Sequence, residues 1–381
     1  MQKRYLSLDV FRGFTVALMI LVNNPGSFSN IFWPLDHAAW NGCTLADLVF
    51  PFFLFAVGNA AAFTLPKFKE KIPSQYFEKI CKRAVFIFLI GLFLNWFPFF
   101  KWDNDHLIFK DWHDVRILGV LQRIAICYLL AASLIFIFDV KKLIFVSAFL
   151  LLAYWFLCFK LGGINPYHLD GFFGTKIDSA ILGQNHMYKG EGVAFEPEGI
   201  ISSIAAIVQI LIGYLIGILI INKDKSYRLL SHIFLIGVFL VMIGLFWNLA
   251  FPINKKIWTS SYTIFTSGIA ILFLGCLIYA IELKQHKFYL TNFFEVFGKN
   301  PLFIFVLSGL IPRLLGLIKI PFTDSTGKAM FISPLKYWYE FLFKNVSTDL
   351  RMGSFIYSIF FLGFFWLVGY YLDRKKIYVK L

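Results

Sequence analysis

The polar turn His37-Ala38-Ala39-Trp40-Asn41-Gly42 runs into Leu45–Leu65, an apolar, Phe-rich segment that carries Asp47 and Pro51. A run of this length without polar alternation reads as a helix long enough for a hydrocarbon core of about 30 Å. Asp47 stands just inside that run. An ionisable group at membrane depth is expensive to keep, which makes it a candidate for function. His37 lies ten residues ahead of it, in a connector (Asn24–Cys43) without Lys or Arg. A lone loop histidine is often only a surface residue, but histidine is also the side chain best suited to move a proton near neutral pH. The pair therefore marks a polar site at one membrane face.

Nine more apolar runs flank this one: Tyr5–Asn23, Ala84–Phe100, Ile117–Phe138, Leu143–Phe159, Ile200–Ile221, Leu229–Phe251, Tyr262–Ala280, Pro301–Ile320 and Phe355–Leu372. Backbone groups in lipid must be satisfied within the segment or in a closed barrel, so runs without alternation are helices. The fold class expected is an all-α polytopic integral membrane protein with about ten transmembrane helices, forming a single domain over residues 1–381. Of the 381 residues, 59% are hydrophobic and 15% charged, which excludes an ordinary soluble domain. The net charge of +14 could suggest nucleic acid, but the basic residues sit between apolar runs and not on one amphipathic face. No nucleic-acid partner is expected; the lipid bilayer is the partner this composition demands. Five scattered cysteines imply neither a metal site nor a disulfide framework. Asp9 and Arg12 interrupt the first apolar run, which reads as a retained helix and not a cleaved signal.

Lys and Arg distribution sets the expected orientation. With the N-terminus inside, 20 basic residues face the cytoplasm and 14 face out. The inner set includes Lys3, Arg4, Lys67, Lys69, Lys71, Lys287 and Lys380. Both termini then lie in the cytoplasm and His37 faces the exterior. Extracytoplasmic loops are expected at about 24–43, 160–199 and 321–351. The second holds His168, Asp170, His186, Glu191, Glu196 and Glu198, and reads as an ordered lid. The third holds an aromatic stretch, Tyr337–Phe343, suited to a short interfacial helix.

Polar residues near the helices admit bland and functional readings. Asp9 and Arg12 share a face of the first helix and can pair. Gln122 and Arg123 begin the fourth, where Arg123 could snorkel to water. Asn23 and Asn41 could be caps, or could hold a carbonyl or orient an imidazole. Lys79, Lys82 and Arg83 serve topology, or clamp the phosphates of an anionic ligand. Phosphate-loop, zinc and Gly-x-Ser-x-Gly patterns are missing from the sequence, which removes ATPases, zinc hydrolases and serine esterases.

Several stretches together carry a family likeness. They are Leu8-Asp9-Val10-Phe11-Arg12-Gly13, His37 through Pro51, Gly119-Val120-Leu121-Gln122-Arg123, Ile181-Leu182-Gly183, His186 with Tyr188, and Pro197-Glu198-Gly199-Ile200. Pro252-Ile253-Asn254-Lys255, Trp258 with Tyr262, and Arg374-Lys375-Lys376 complete the series. In this order they resemble the heparan-α-glucosaminide N-acetyltransferase family and its bacterial relatives. The resemblance implies a transmembrane N-acetyltransferase that moves acetyl from cytoplasmic acetyl-CoA to the amine of an extracytoplasmic, glucosamine-like sugar. It also implies a bacterial inner membrane, with a homodimer as one open assembly. The family's active histidine falls on His37, supported by Asn23, with Asp47 and Asn41 beside it. Arg83 matches a family arginine at the cytoplasmic start of its helix, and Lys82, Lys79 and Arg123 join it as candidate acetyl-CoA residues. Trp40, His186 and Glu198 are the candidate acceptor-binding residues. Gln184-Asn185 stands where the family has an acidic pair, which makes heparan sulfate itself a poor acceptor candidate. An amino-sugar permease without covalent chemistry, and a non-catalytic scaffold, are the rival readings.

Overall fold

The computed structural model describes residues 5–69, 72–104, 106–286, 289–323 and 329–379. Lys3, Arg4, Lys71, Lys287 and Lys380 of the charge count lie outside the described residues, as do the side chains of Lys67 and Lys69. Among the described residues, eight helices are long and apolar enough to cross a membrane, and a bent pair makes up to nine. The chain is an all-α polytopic integral membrane protein.

The principal helices are α1 (Leu6–Asn23), α2 (Val49–Thr64), α3 (Pro73–Trp96), α4 (Val120–Ile137), α5 (Val140–Leu161) and α6 (Phe173–Leu182). They continue with α7 (Ser203–Asn222), α8 (Tyr227–Trp247), α9 (Ser260–Leu277), α10 (Tyr289–Lys299), α11 (Pro301–Leu315) and α12 (Leu350–Arg374). A 3₁₀ turn, Ala46–Leu48, leads into α2, and a π-turn, Ile278–Leu283, extends α9.

Two of the ten expected spans need correction. The run placed at Ala84–Phe100 belongs to α3, which starts at Pro73 and so includes Lys79, Lys82 and Arg83. Its uncharged part, Ala84–Trp96, reaches only about 20 Å at 1.5 Å per residue. The helix stops before Phe97 (ψ 138°), because Pro98 disfavours helical backbone in the residue ahead of it. The run placed at Pro301–Ile320 ends at Leu315, and α10 and α11 meet at 80° across Asn300. Asn300 holds that corner by donating to Ile377 O (2.9 Å) and accepting from Val379 N (2.9 Å). The connector after α3 also contains a hairpin that hydropathy does not reveal, Phe100–Asp103 paired antiparallel with His106–Phe109. The expected interfacial helix is present as Pro334–Trp338 continued by a π-turn over Tyr339–Phe343.

Helix α2 sits at the centre. A Cβ on Gly58 would fall 2.0 Å from Ile210 O, and one on Gly213 would fall 2.2 Å from Phe55 O, so α2 and α7 meet backbone to backbone. Phe11 of α1 stacks on Phe52 at 5.2 Å and packs beside Phe55 at 5.7 Å. The connectors gather at one end of this bundle: Trp40 Nε1 donates to Tyr167 O (2.9 Å), Gly42 N to Ile253 O (2.8 Å) and Trp102 Nε1 to Leu317 O (2.9 Å). At the other end Tyr5 OH donates to Ile220 O (3.3 Å), Ser7 N to Glu282 Oε1 (3.1 Å) and Lys299 pairs with Asp373 (2.9 Å). Each pole thus has its own set of tethers.

Candidate active site

The 3₁₀ turn ahead of α2 places Asp47 with its side chain 1% exposed. Asp47 Oδ2 accepts from Ala38 N, Thr44 N and Thr44 Oγ1, each at 3.1 Å. Asp47 Oδ1 lies 2.8 Å from His37 Nδ1. A carboxylate accepts, so Nδ1 donates in this contact, and in the neutral imidazole that leaves Nε2 as the acceptor. The imidazole is about half exposed (46%), whereas its partner is sealed. The connector bends back to allow this through Gly42, whose φ of +112° is a conformation that favours glycine. Tyr262 OH, from α9, donates to Asp47 O at 2.6 Å and fixes the turn from below. A buried carboxylate with full hydrogen bonding is a rigid support for an imidazole.

Lys255, which has no role in the sequence reading, gains one from the structure. Its Nζ lies 3.3 Å from Asp47 Oδ1 and 3.2 Å from His37 Nδ1. Asn254 Nδ2 donates to Asn41 Oδ1 (3.1 Å), which joins the Pro-Ile-Asn-Lys turn to the His37 connector. Asn41 is thus a tether between loops. Asn23 ends α1 exposed and, among the described residues, makes no hydrogen bond to His37. Cys43 sits beside the dyad with its thiol pushed up to about 12, by burial first and then by the Asp47 charge.

A second charged cluster adjoins. Arg116 Nε donates to Glu196 Oε2 (3.0 Å), and its Nη2 reaches both Glu196 and Glu198. Burial alone would lower the Arg116 pKa, but the two carboxylates outweigh it and raise it. Burial pushes Glu196 above its usual range. Glu198 is held below its usual range: Arg116, Arg123 and Lys255 together outweigh the burial that would raise it. The Arg116 guanidinium also lies 4.8 Å from the Tyr188 ring centre. His186 Nδ1–H donates to Val115 O at 2.7 Å, close to the same arginine in sequence. Trp40 stacks near His168 (6.2 Å), with Lys256 over its ring at 5.7 Å. Asp178, which accepts from Ile200 N (2.9 Å), has its carboxyl raised to about 6 by burial. Trp40, His186 and Glu198 therefore belong to the same pole as His37.

Arg123 does not join the other candidate donor-binding residues. It is fully buried, not snorkelling, and its Nη2 donates to Gly199 O (3.1 Å) and to Ser202 Oγ. Its guanidinium stands 5.0 Å from the Trp258 ring, so it supports the loop pole from beneath. Lys79, Lys82 and Arg83 do come together. They line a cavity of about 740 Å³ with Phe63, Thr64 and Tyr128. The Arg83 guanidinium lies 5.1 Å from the Tyr128 ring, and among the described residues its buried Nε has no hydrogen-bond partner. The missed residues, Lys255, Arg116 and Tyr262, gave one signal in the sequence: polar groups packed just before or after an apolar run.

Comparison with known proteins bears on this geometry. Residues 4–179 match the family model described as heparan-alpha-glucosaminide N-acetyltransferase, catalytic. That range contains His37, Asp47, Arg83 and Arg116. The heparan-alpha-glucosaminide N-acetyltransferase of Mus musculus is 29% identical over 339 residues, covering 74% of this chain and 50% of that protein. The protein of the same name from Homo sapiens is 27% identical over 433 residues, covering 99% of this chain and 60% of that protein. The chain spans about half to three fifths of the length of these curated relatives, and the family likeness read from the sequence is borne out.

Proposed function

We propose, from the chain's standing as a relative of the heparan-alpha-glucosaminide N-acetyltransferases, that it transfers acetyl from acetyl-CoA to the amine of a glucosamine-like sugar across the bilayer. The observation that carries this reading is the half-exposed His37 imidazole backed through Nδ1 by the sealed Asp47 carboxylate. In the reaction the amine nitrogen forms a bond to the thioester carbonyl carbon and the C–S bond breaks. The amine's proton passes to Nε2 and on to the leaving thiolate. His37 acts either as that general base or as the first acceptor of the acetyl group, which the amine then takes from Nε2. Trp40, His186 and Glu198 offer a ring face, an imidazole and a carboxylate to the sugar, and Glu198 suits an amine or hydroxyl donor. The deciding assay supplies labelled acetyl-CoA to one side of reconstituted vesicles and glucosamine to the other. Labelled N-acetylglucosamine supports the reading; unmodified glucosamine crossing while acetyl-CoA is ignored supports the permease.

The donor's phosphates fit the basic cavity. A phosphate oxygen would accept from the unpartnered Arg83 Nε, with Lys79 and Lys82 adding charge at the rim. Arg83→Ala should weaken acetyl-CoA binding by about 1.5–3 kcal/mol, the range of a hydrogen bond to a charged group. Titration calorimetry reads this directly, and an unchanged affinity would return Arg83 to a topological role.

This function requires the two poles to face opposite sides, with His37 outside and Arg83 in the cytoplasm. In a cysteine-free background, Asp36→Cys should react with an impermeant thiol reagent in intact cells. Lys82→Cys should react only after permeabilisation. The reverse pattern would remove the two-sided mechanism.

A further inference from the structure

The hairpin after α3 is an amphipathic ribbon. Cross-strand partners share a face, and side chains two apart return to it, so the pairs Phe100–Phe109 and Trp102–Leu107 lie on one side. The other side holds the pairs Lys101–Ile108 and Asp103–His106. The four apolar side chains of the first face are 37–56% exposed. An isolated two-stranded ribbon is at best marginal in water, and an open aromatic face on one needs a surface to lie against.

The contacts of the ribbon place that surface. Trp102 Nε1 donates to Leu317 O (2.9 Å) and Lys319 Nζ to Asn104 O (2.8 Å), which ties the hairpin to the chain just beyond α11. Trp96, at the end of α3, packs against Phe109 at 5.7 Å. Helices α3 and α11 are neighbours, since a Cβ on Gly309 would lie 3.8 Å from Leu94. Both are short. The uncharged part of α3 reaches about 20 Å and Pro301–Leu315 about 22 Å, against a hydrocarbon core of about 30 Å. Val85, Leu89 and Phe93 form an exposed apolar stripe along α3 that leads into the hairpin. Short spans call for interfacial anchors, and aromatic rings with lysines beside them are the side chains that settle at that depth. Lys319 lies over the Trp102 ring at 4.0 Å. We propose that the hairpin rests in the boundary between headgroups and acyl chains at the His37 pole. Phe100, Trp102, Leu107 and Phe109 then face lipid, and Lys101 and Asp103 face water. The ribbon supplies the apolar depth that α3 and α11 leave unspanned. It also reaches the site: the Trp112 ring, three residues past Phe109, lies 6.5 Å from His186. The inference needs only a chain that spans the bilayer, whatever reaction it performs.

The test places the photoreactive residue p-benzoylphenylalanine at Phe109, at Leu107 or at Lys101, one site at a time. The full chain is held in nanodiscs of phosphatidylcholine and phosphatidylglycerol, irradiated and digested, and mass spectrometry reads the adducts. Phe145, the exposed Phe near the start of α5, serves as the lipid-facing control. Phospholipid adducts should form at Phe109 and Leu107 as they do at Phe145, and should be lost at Lys101. Phe109 accepts an aromatic analogue on an exposed ring, so that site serves if a change at Leu107 disturbs the hairpin. Adducts at Phe145 with none at Phe109 or Leu107 overturn the proposal, because the aromatic face then lies in water or against protein. Equal lipid adducts at Phe109 and Lys101 also overturn it, because the ribbon then has no wet side.

Discussion

His37→Ala should lower acetyl transfer to a glucosamine acceptor by about 10²–10⁴-fold, the usual worth of a positioned general base, and by more if the histidine carries the acetyl group. Acetyl-CoA affinity should stay close to native, because the side chains proposed to hold its phosphates, Lys79, Lys82 and Arg83, gather in a cavity that His37 does not line. His37 Nδ1 is committed to Asp47 at 2.8 Å, so the lost function is that of Nε2 alone. Steady-state transfer and calorimetric binding, measured on one preparation, separate the two effects. A variant that keeps more than about a tenth of the native rate would remove His37 from the chemistry. Quenching with acid after a single turnover, followed by mass spectrometry of the His37 peptide, would distinguish acetyl-histidine from direct transfer.

Asp47→Asn should cost nearly as much, about 10²–10⁴-fold in kcat, with little change in KM. An amide oxygen can replace only one of the two carboxylate oxygens. Oδ2 already serves Ala38 N, Thr44 N and Thr44 Oγ1. The amide oxygen is therefore drawn to those three donors, and the NH₂ is left facing His37 Nδ1. An NH₂ there can only donate, so Nδ1 becomes the acceptor and the proton moves to Nε2, where it blocks both base and nucleophile. Lys255, 3.3 Å from Asp47 Oδ1, loses its ion pair in the same step. Nitrogen NMR of the imidazole reads the tautomer directly. An Asp47→Asn protein with native kcat would show that the carboxylate is structural only.

The sequence was most informative where one property repeats along the chain. Leu45–Leu65, Ile200–Ile221 and Leu229–Phe251 correspond closely to a turn plus α2, to α7 and to α8, because a helix in lipid must satisfy its own backbone and cover itself with apolar side chains. Misplaced ends came from local chemistry that hydropathy does not weigh. Helix α3 extends past its apolar stretch because nothing between Pro73 and Ala84 breaks a helix, and Pro98 stops it early. For Arg123 the sequence leaves two readings open, a helix end free to reach water and a place among the acetyl-CoA residues. The structure instead buries it against Trp258 and Ser202, residues some eighty or more positions away.

By itself the sequence determined that this chain is a bundle of membrane helices and that His37 and Asp47 stand at the mouth of one of them. The first follows from apolar runs repeated along the chain and the second from spacing within a single stretch, since ten residues of connector suffice to bring imidazole and carboxylate together. Only the tertiary structure decided which distant side chains complete the site. Lys255 meets the Asp47 carboxylate from more than two hundred positions away, and Arg116 meets Glu196 across 80. Such pairs depend on which helix ends share a pole and on how closely α2, α4, α7 and α9 pack beneath the connectors. A hydrogen bond ends within about 3 Å, so the choice rests on side-chain geometry that no local pattern encodes.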